Sequence, residues 1–153
     1  MGYQIGVDLT VIDTSPQFKL GELVQLDDGK IYKYVKYEAA TAATAGVAGE
    51  VAYYATVSVG DATGTIVTSD LSDSDEVGAG VLQAALTDGS YGWIQVKGVA
   101  TLTIALTAGA DGDPLTATGA ADGTLDVSAA VTDVVCAVAI DASEKIILCD
   151  FPH

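Results

Sequence analysis

From Tyr3 to Val11 the odd positions are apolar (Tyr3, Ile5, Val7, Leu9, Val11) and the even ones are mostly polar or small (Gln4, Gly6, Asp8, Thr10). This two-residue period predicts a strand with one buried face. The run stops at Asp13-Thr14-Ser15-Pro16, a turn cluster, and no neighbouring run offers itself as a hairpin partner. A lone strand needs a sheet edge, on its own domain or on another chain. Residues 1–19 therefore read either as an arm reaching a second chain or as an ordinary edge strand.

The next pattern is a β-hairpin over residues 22–37. Glu22-Leu23-Val24-Gln25-Leu26 and Ile31-Tyr32-Lys33-Tyr34-Val35-Lys36-Tyr37 flank Asp28-Gly29, a pair suited to the positive φ angles of a tight primed turn. Its lysines, Lys30, Lys33 and Lys36, read as solvated charges. Glu38 to Gly49 is rich in Ala, Thr and Gly and reads mainly as a linker.

Short β-like runs then recur between turn signals: Val51–Val59, Gly64–Thr68, Tyr91–Val99, Thr101–Leu106, Val134–Ile140 and Lys145–Cys149. Val77–Leu86 suits a helical face as well, but Gly78 and Gly80 each cost a helix about 1 kcal/mol, which favours a strand. The pattern predicts an all-β fold: a compact β-barrel or β-sandwich of short antiparallel strands with an N-terminal extended arm, and one domain over residues 20–153.

A weak internal echo runs through that domain. Gly49-Glu50-Val51, Gly64-Thr65-Ile66 and Val81–Leu86 are answered by Gly112-Asp113-Pro114, Gly123-Thr124-Leu125 and Val134–Ile140. Two related β-units, about 49–99 and 112–149, packed face to face would bury both apolar faces.

Composition narrows the functions. The net charge is −15, all six basic residues are lysines and arginine is absent; such a field repels nucleic-acid phosphate. No stretch approaches the roughly 20 apolar residues of a membrane helix, and the start carries no secretion signal. The expectation is a soluble protein folded in a cytosol, with no nucleic-acid or membrane partner. Cys136 and Cys149 read as structural thiols, since a disulfide needs an oxidising compartment.

Catalytic chemistry is scarce. The single histidine is His153, the last residue of the sequence, so no serine or cysteine has an internal histidine to activate it. Asp13-Thr14-Ser15 shares two residues with the Asp-Thr-Gly of aspartic proteases, but no second copy supplies the paired carboxylate. Asp70-Leu71-Ser72-Asp73-Ser74-Asp75-Glu76 lacks the glycine and the distant glutamate of an EF-hand loop and reads as a solvated acidic loop. The glycines form no phosphate-binding pattern. The sequence thus nominates no catalytic residue, no cofactor and no metal ligand. Tyr91 and Trp93, on one face of a strand, read either as an interface or sugar-binding pair or as core packing.

The order of Leu20-Gly21-Glu22-Leu23, Asp28-Gly29-Lys30-Ile31-Tyr32-Lys33-Tyr34-Val35-Lys36, Gly80-Val81-Leu82, Tyr91-Gly92-Trp93-Ile94-Gln95-Val96-Lys97-Gly98-Val99-Ala100 and Ala110-Asp111-Gly112-Asp113-Pro114-Leu115 resembles the capsid decoration, or cement, proteins of tailed phages. The resemblance spans about Leu20 to Leu148. It implies a structural virion protein made in the host cytoplasm, a homotrimer on the outer capsid surface that clamps neighbouring major capsid proteins. Tyr3, Ile5, Val7, Leu9 and Val11, with Tyr91 and Trp93, are then the interface candidates. The rival readings are a carbohydrate-binding or adhesin-like β module, including a head-fibre base, and, with least support, an enzyme subunit using carboxylates.

Overall fold

The computed structural model describes residues 6–39, 46–56 and 64–153. Ten strands form one mixed sheet. The hairpin is β1 (Leu23–Gln25) and β2 (Ile31–Tyr37), paired antiparallel from Leu23↔Lys33 to Gln25↔Ile31. Its loop differs from the primed turn the sequence predicts. Leu26 N–H donates to the Lys30 carbonyl and the Asp28 carboxylate accepts from Lys30 N–H, while Gly29 alone takes a positive φ of 80°. A three-residue loop closed by a left-handed glycine needs only that one residue.

The remaining strands are β3 (Val51–Ala55), β4 (Ile66–Thr68), β5 (Ser74–Leu82), β6 (Tyr91–Thr101), β7 (Pro114–Thr116), β8 (Asp126–Val127), β9 (Val135–Asp141) and β10 (Ile146–Asp150). β2 pairs with β4, β4 with β3, β3 with β5, β5 with β6, and β6 returns to β2. This ring is a small barrel, closed by one parallel pair, β2–β4, where the sequence predicts antiparallel strands throughout. Glycine makes the tight wall possible: a Cβ on Gly80 would stand 2.7 Å from the Gln95 carbonyl oxygen and 3.0 Å from the Ile94 side chain. The same crowding is why Val77–Leu86 enters the sheet as a strand, which ends at Leu82.

The second half extends the sheet from β6 in the order β10-β9-β7-β8. β4-β3-β5-β6 and β8-β7-β9-β10 have the same internal order, and they meet through the antiparallel β6–β10 pair. Matching glycines precede matching strands with nearly the same geometry: φ is 87° at Gly49 and Gly112, and 69° and 72° at Gly64 and Gly123. One continuous core runs under both halves, from Val35, Tyr53 and Val67 to Leu115, Ile147 and Phe151.

Four segments depart from the sequence pattern. Gly6–Val11 forms bends and a turn instead of a strand, because its apolar side chains are satisfied by packing on a ready-made aromatic face. Thr101 ends β6 and residues 102–106 form no strand; Leu102 turns away into the core. β7 and β8 were invisible to periodicity because they are three and two residues long.

Candidate functional site

β6 has an aromatic face and an aliphatic one. Ile94 and Val96 join the main core, while Trp93 faces the other way with Tyr34, its register partner on β2. Phe18 closes over this pair edge-on, 5.1 Å from Trp93 and 5.2 Å from Tyr34 between ring centroids. Val7, Leu9, Val11 and Leu20 pack around the same cluster. Edge-to-face aromatic contacts of this kind add about 0.5–1.5 kcal/mol beyond area burial.

The segment is also tied down by polar contacts. Asp13 and Tyr91 exchange two backbone hydrogen bonds of 2.9 Å, and the Tyr34 hydroxyl donates to Asp13 Oδ2 at 2.5 Å while accepting from Gln17 N–H at 3.2 Å.

The seven interface candidates therefore fall as follows. Tyr3 and Ile5 lie outside the described residues. Val7, Leu9 and Val11 are engaged within their own chain, Tyr91 is half-buried against Tyr34, and Trp93 is 0% exposed. A sugar-stacking platform of Tyr91 and Trp93 has no accessible indole face.

Lys33 corrects the reading of three solvated hairpin lysines. It points along the barrel-lining side of β2 and is 8% exposed, with Nζ donating to the Gly64 carbonyl at 2.8 Å and to the Tyr54 hydroxyl at 3.1 Å. Burial lowers its pKa. Lys36 pairs with Glu38 at 2.6 Å.

Outward-facing apolar residues concentrate elsewhere. Val99 on β6, Leu148 on β10, Val138 on β9 and Pro114 on β7 are successive register partners, and all four are exposed. Ile140 and Val135 on β9 are exposed too. Beside them, residues 128–134 form a loop locked by Asp133, whose Oδ2 accepts from Ala130 N–H, Ala129 N–H and the Ser128 hydroxyl. Those bonds, led by that of Ala130, hold the carboxyl below its ordinary pKa. The loop carries Val131, 105% exposed.

A continuous apolar row across four strands, flanked by a rigid loop with an apolar tip, is unusual for surface that meets only water. Its margin carries Asp133, Asp141 and Asp150, with Lys97 opposite Asp150 in register. Sequence reasoning missed this face because the alternation in β9 and β10 shows which residues share a side, not which side is covered.

Reactive chemistry among the described residues is muted. Cys136 and Cys149 are buried free thiols, and burial pushes both up to about 12. His153 Nδ1 lies 2.7 Å from the Phe151 carbonyl oxygen. In the acidic run, Asp70 caps a 3-10 turn, Leu71–Asp73, by accepting from Ser72 N–H. Among the described residues no helix is long and apolar enough to cross a membrane.

Comparisons with protein-family models, curated proteins and solved structures return no match.

Proposed function

We propose that this chain is a structural decoration (cement) protein that docks on the outer surface of a tailed-phage head and joins neighbouring major capsid proteins. The observation that carries the reading is the exposed row Val99–Leu148–Val138–Pro114 with Val131 beside it. Burying such a row against a partner releases about 25 cal/mol for each Å² of apolar surface. The surface is built on paired strands and a locked loop, so little conformational entropy is lost on docking.

Charge selects the partner. With a net charge of −15 and aspartates at the margin, this face favours a protein surface that is apolar at its centre and basic at its rim. A second copy docked on the same face would oppose like charges, so the homotrimer implied by the resemblance uses another surface. Repetition over many symmetry-related sites then converts modest single contacts into lasting attachment.

The test is co-sedimentation with expanded, undecorated capsids built from the major capsid protein encoded with this chain. The reading predicts saturable attachment and capsids that withstand higher temperature before rupture. Absence of attachment, with binding to a glycan array instead, would replace it with the carbohydrate-binding reading.

A further inference from the structure

β6 runs on past the end of its neighbour β2. Lys97 is the last residue of β6 to pair with β2, opposite Ile31, and it also pairs with Asp150 of β10. β2 and β10 therefore lie on opposite edges of β6, and from Gly98 to Thr101 only the β10 edge is covered. We propose that the uncovered edge at Val99 and Thr101 receives an extended segment of a partner protein, anchored by an acidic side chain on Lys30.

The direction of the peptide groups follows from the bonds to β10 and its flanks. Phe151 N–H donates to the Val96 carbonyl and Leu102 N–H to the Lys145 carbonyl. Along an antiparallel strand the peptide groups alternate between edges, so Gly98 and Ala100 turn to β10 while Lys97, Val99 and Thr101 turn away from it. The Gln95 side chain agrees: its Nε2 donates to the Lys97 carbonyl at 3.3 Å and to the Val99 carbonyl at 2.9 Å. The Val99 N–H and both peptide groups of Thr101 are left on an edge without a strand partner. Such an edge accepts a further strand through main-chain hydrogen bonds.

This edge borders a groove of about 430 Å³, lined by Val99, Thr101 and Gln95 of β6, by Lys30, and by Gly49 and Gln83. Gln95 points to a ligand independently of the edge. It is only 4% exposed, its amide nitrogen is engaged, and its Oε1 accepts no hydrogen bond among the described residues. A peptide N–H lying in the groove would supply the missing donor.

Charge selects the segment. The chain carries −15, yet among the described residues no carboxylate lines this groove and its one charged group is the Lys30 ammonium. Lys30 has no ion-pair partner among the described residues. Its stem lies across Gly98, where φ is 101° and a Cβ would stand 2.8 Å from Lys30 Cγ. Glycine there lets the lysine cross the strand beside the open edge. A carboxylate is the group that such an ammonium pairs with. The surrounding negative field disfavours strongly acidic segments, so a single carboxylate in an otherwise neutral, extended run fits best.

Val99 belongs both to this edge and to the exposed row, so one partner would meet both. Peptide capture is measured on the chain alone, and its failure is therefore distinct from a failure to attach to capsids.

The experiment is selection of a displayed library of random short peptides on the immobilised full chain, followed by anisotropy titration of the enriched sequences as labelled, end-blocked peptides. Expected are sequences with one Asp or Glu in a run of β-formers, and protection of the Val99 and Thr101 amides from hydrogen exchange on binding. Affinity should fall by about tenfold or more in Lys30→Glu. Thr101→Pro removes an edge N–H that no ladder uses, and should weaken binding likewise with little change in Tm. Thr101→Val, which keeps the backbone groups, should bind as the wild type does. No enrichment over an uncoated surface, or enriched peptides that bind Lys30→Glu and Thr101→Pro as tightly as the wild type, would overturn the proposal.

Discussion

The hydroxyl of Tyr34 donates a 2.5 Å hydrogen bond to the Asp13 carboxylate across twenty-one residues of sequence. That contact fastens the N-terminal segment to the barrel at the point where Asp13 also pairs with Tyr91. Tyr34→Phe leaves the carboxylate and the Gln17 N–H without their partner. A hydrogen bond to a charged group contributes about 1.5–3 kcal/mol, so Tyr34→Phe should lower unfolding free energy by about that much in a urea titration. Asp13→Asn, which keeps an acceptor, should cost less.

Removing residues 1–12 strips Val7, Leu9 and Val11 from the aromatic cluster. The sequence reading of an exchanged arm predicts an undisturbed body. The packing predicts a lower Tm and a red-shifted emission of Trp93, the only tryptophan, as water reaches its ring. Unchanged emission and stability would return the segment to the role of a free arm.

Gly80→Ala forces a methyl to within 2.7 Å of the Gln95 carbonyl oxygen inside the barrel wall. Overpacking of this kind costs about 1–3 kcal/mol. At Gly89, where nothing lies within 4 Å, alanine meets only the backbone strain of a positive φ, about 1–2 kcal/mol. Denaturation of the two variants should rank Gly80→Ala as no less damaging, and an early Tm loss at Gly89 alone would contradict the close β5–β6 approach.

The hairpin, β3, β6, β9 and β10 were legible because their alternation extends over five or more residues or borders a strong turn. The echo was legible as glycines, and the strand order shows what they do: Gly49 and Gly112 adopt the same left-handed turn before β3 and β7. Closure of the barrel was not legible, since it depends on β2 meeting β4 in parallel, a contact that spans the whole of β3. Lys33 was misread because its barrel-lining position follows from register, whereas its residue type signals solvent. The candidate docking face was hidden for the converse reason: Val99, Leu148 and Val138 look like core in sequence.

Alkaline pH should unfold the protein in a defined window. Burial pushes Tyr32, Tyr34 and Tyr54 from 10.0 up to about 12, and Cys136 and Cys149 from 9.0 up to about 12. Each folded-state pKa lies above its unfolded value, so the fold favours the protonated form. The associated stability is intact below about pH 9 and is lost progressively as pH rises toward 12. Tm measured against pH should fall through that range in step with tyrosinate absorbance, and the native thiols should resist alkylation until unfolding begins. Ready alkylation at neutral pH would contradict their burial.

Leu148 sits at the centre of the exposed row, 47% exposed and in register with Val99 on one side and Val138 on the other. The decisive measurement is the copy number of wild-type and Leu148→Glu protein bound per expanded capsid, read by quantitative sedimentation after confirming equal Tm in solution. Docking through this face predicts full occupancy for the wild type and at least a tenfold weaker attachment for Leu148→Glu. Equal occupancy of the two proteins would show that the capsid is held by another surface, and no occupancy by either would contradict the decoration role itself.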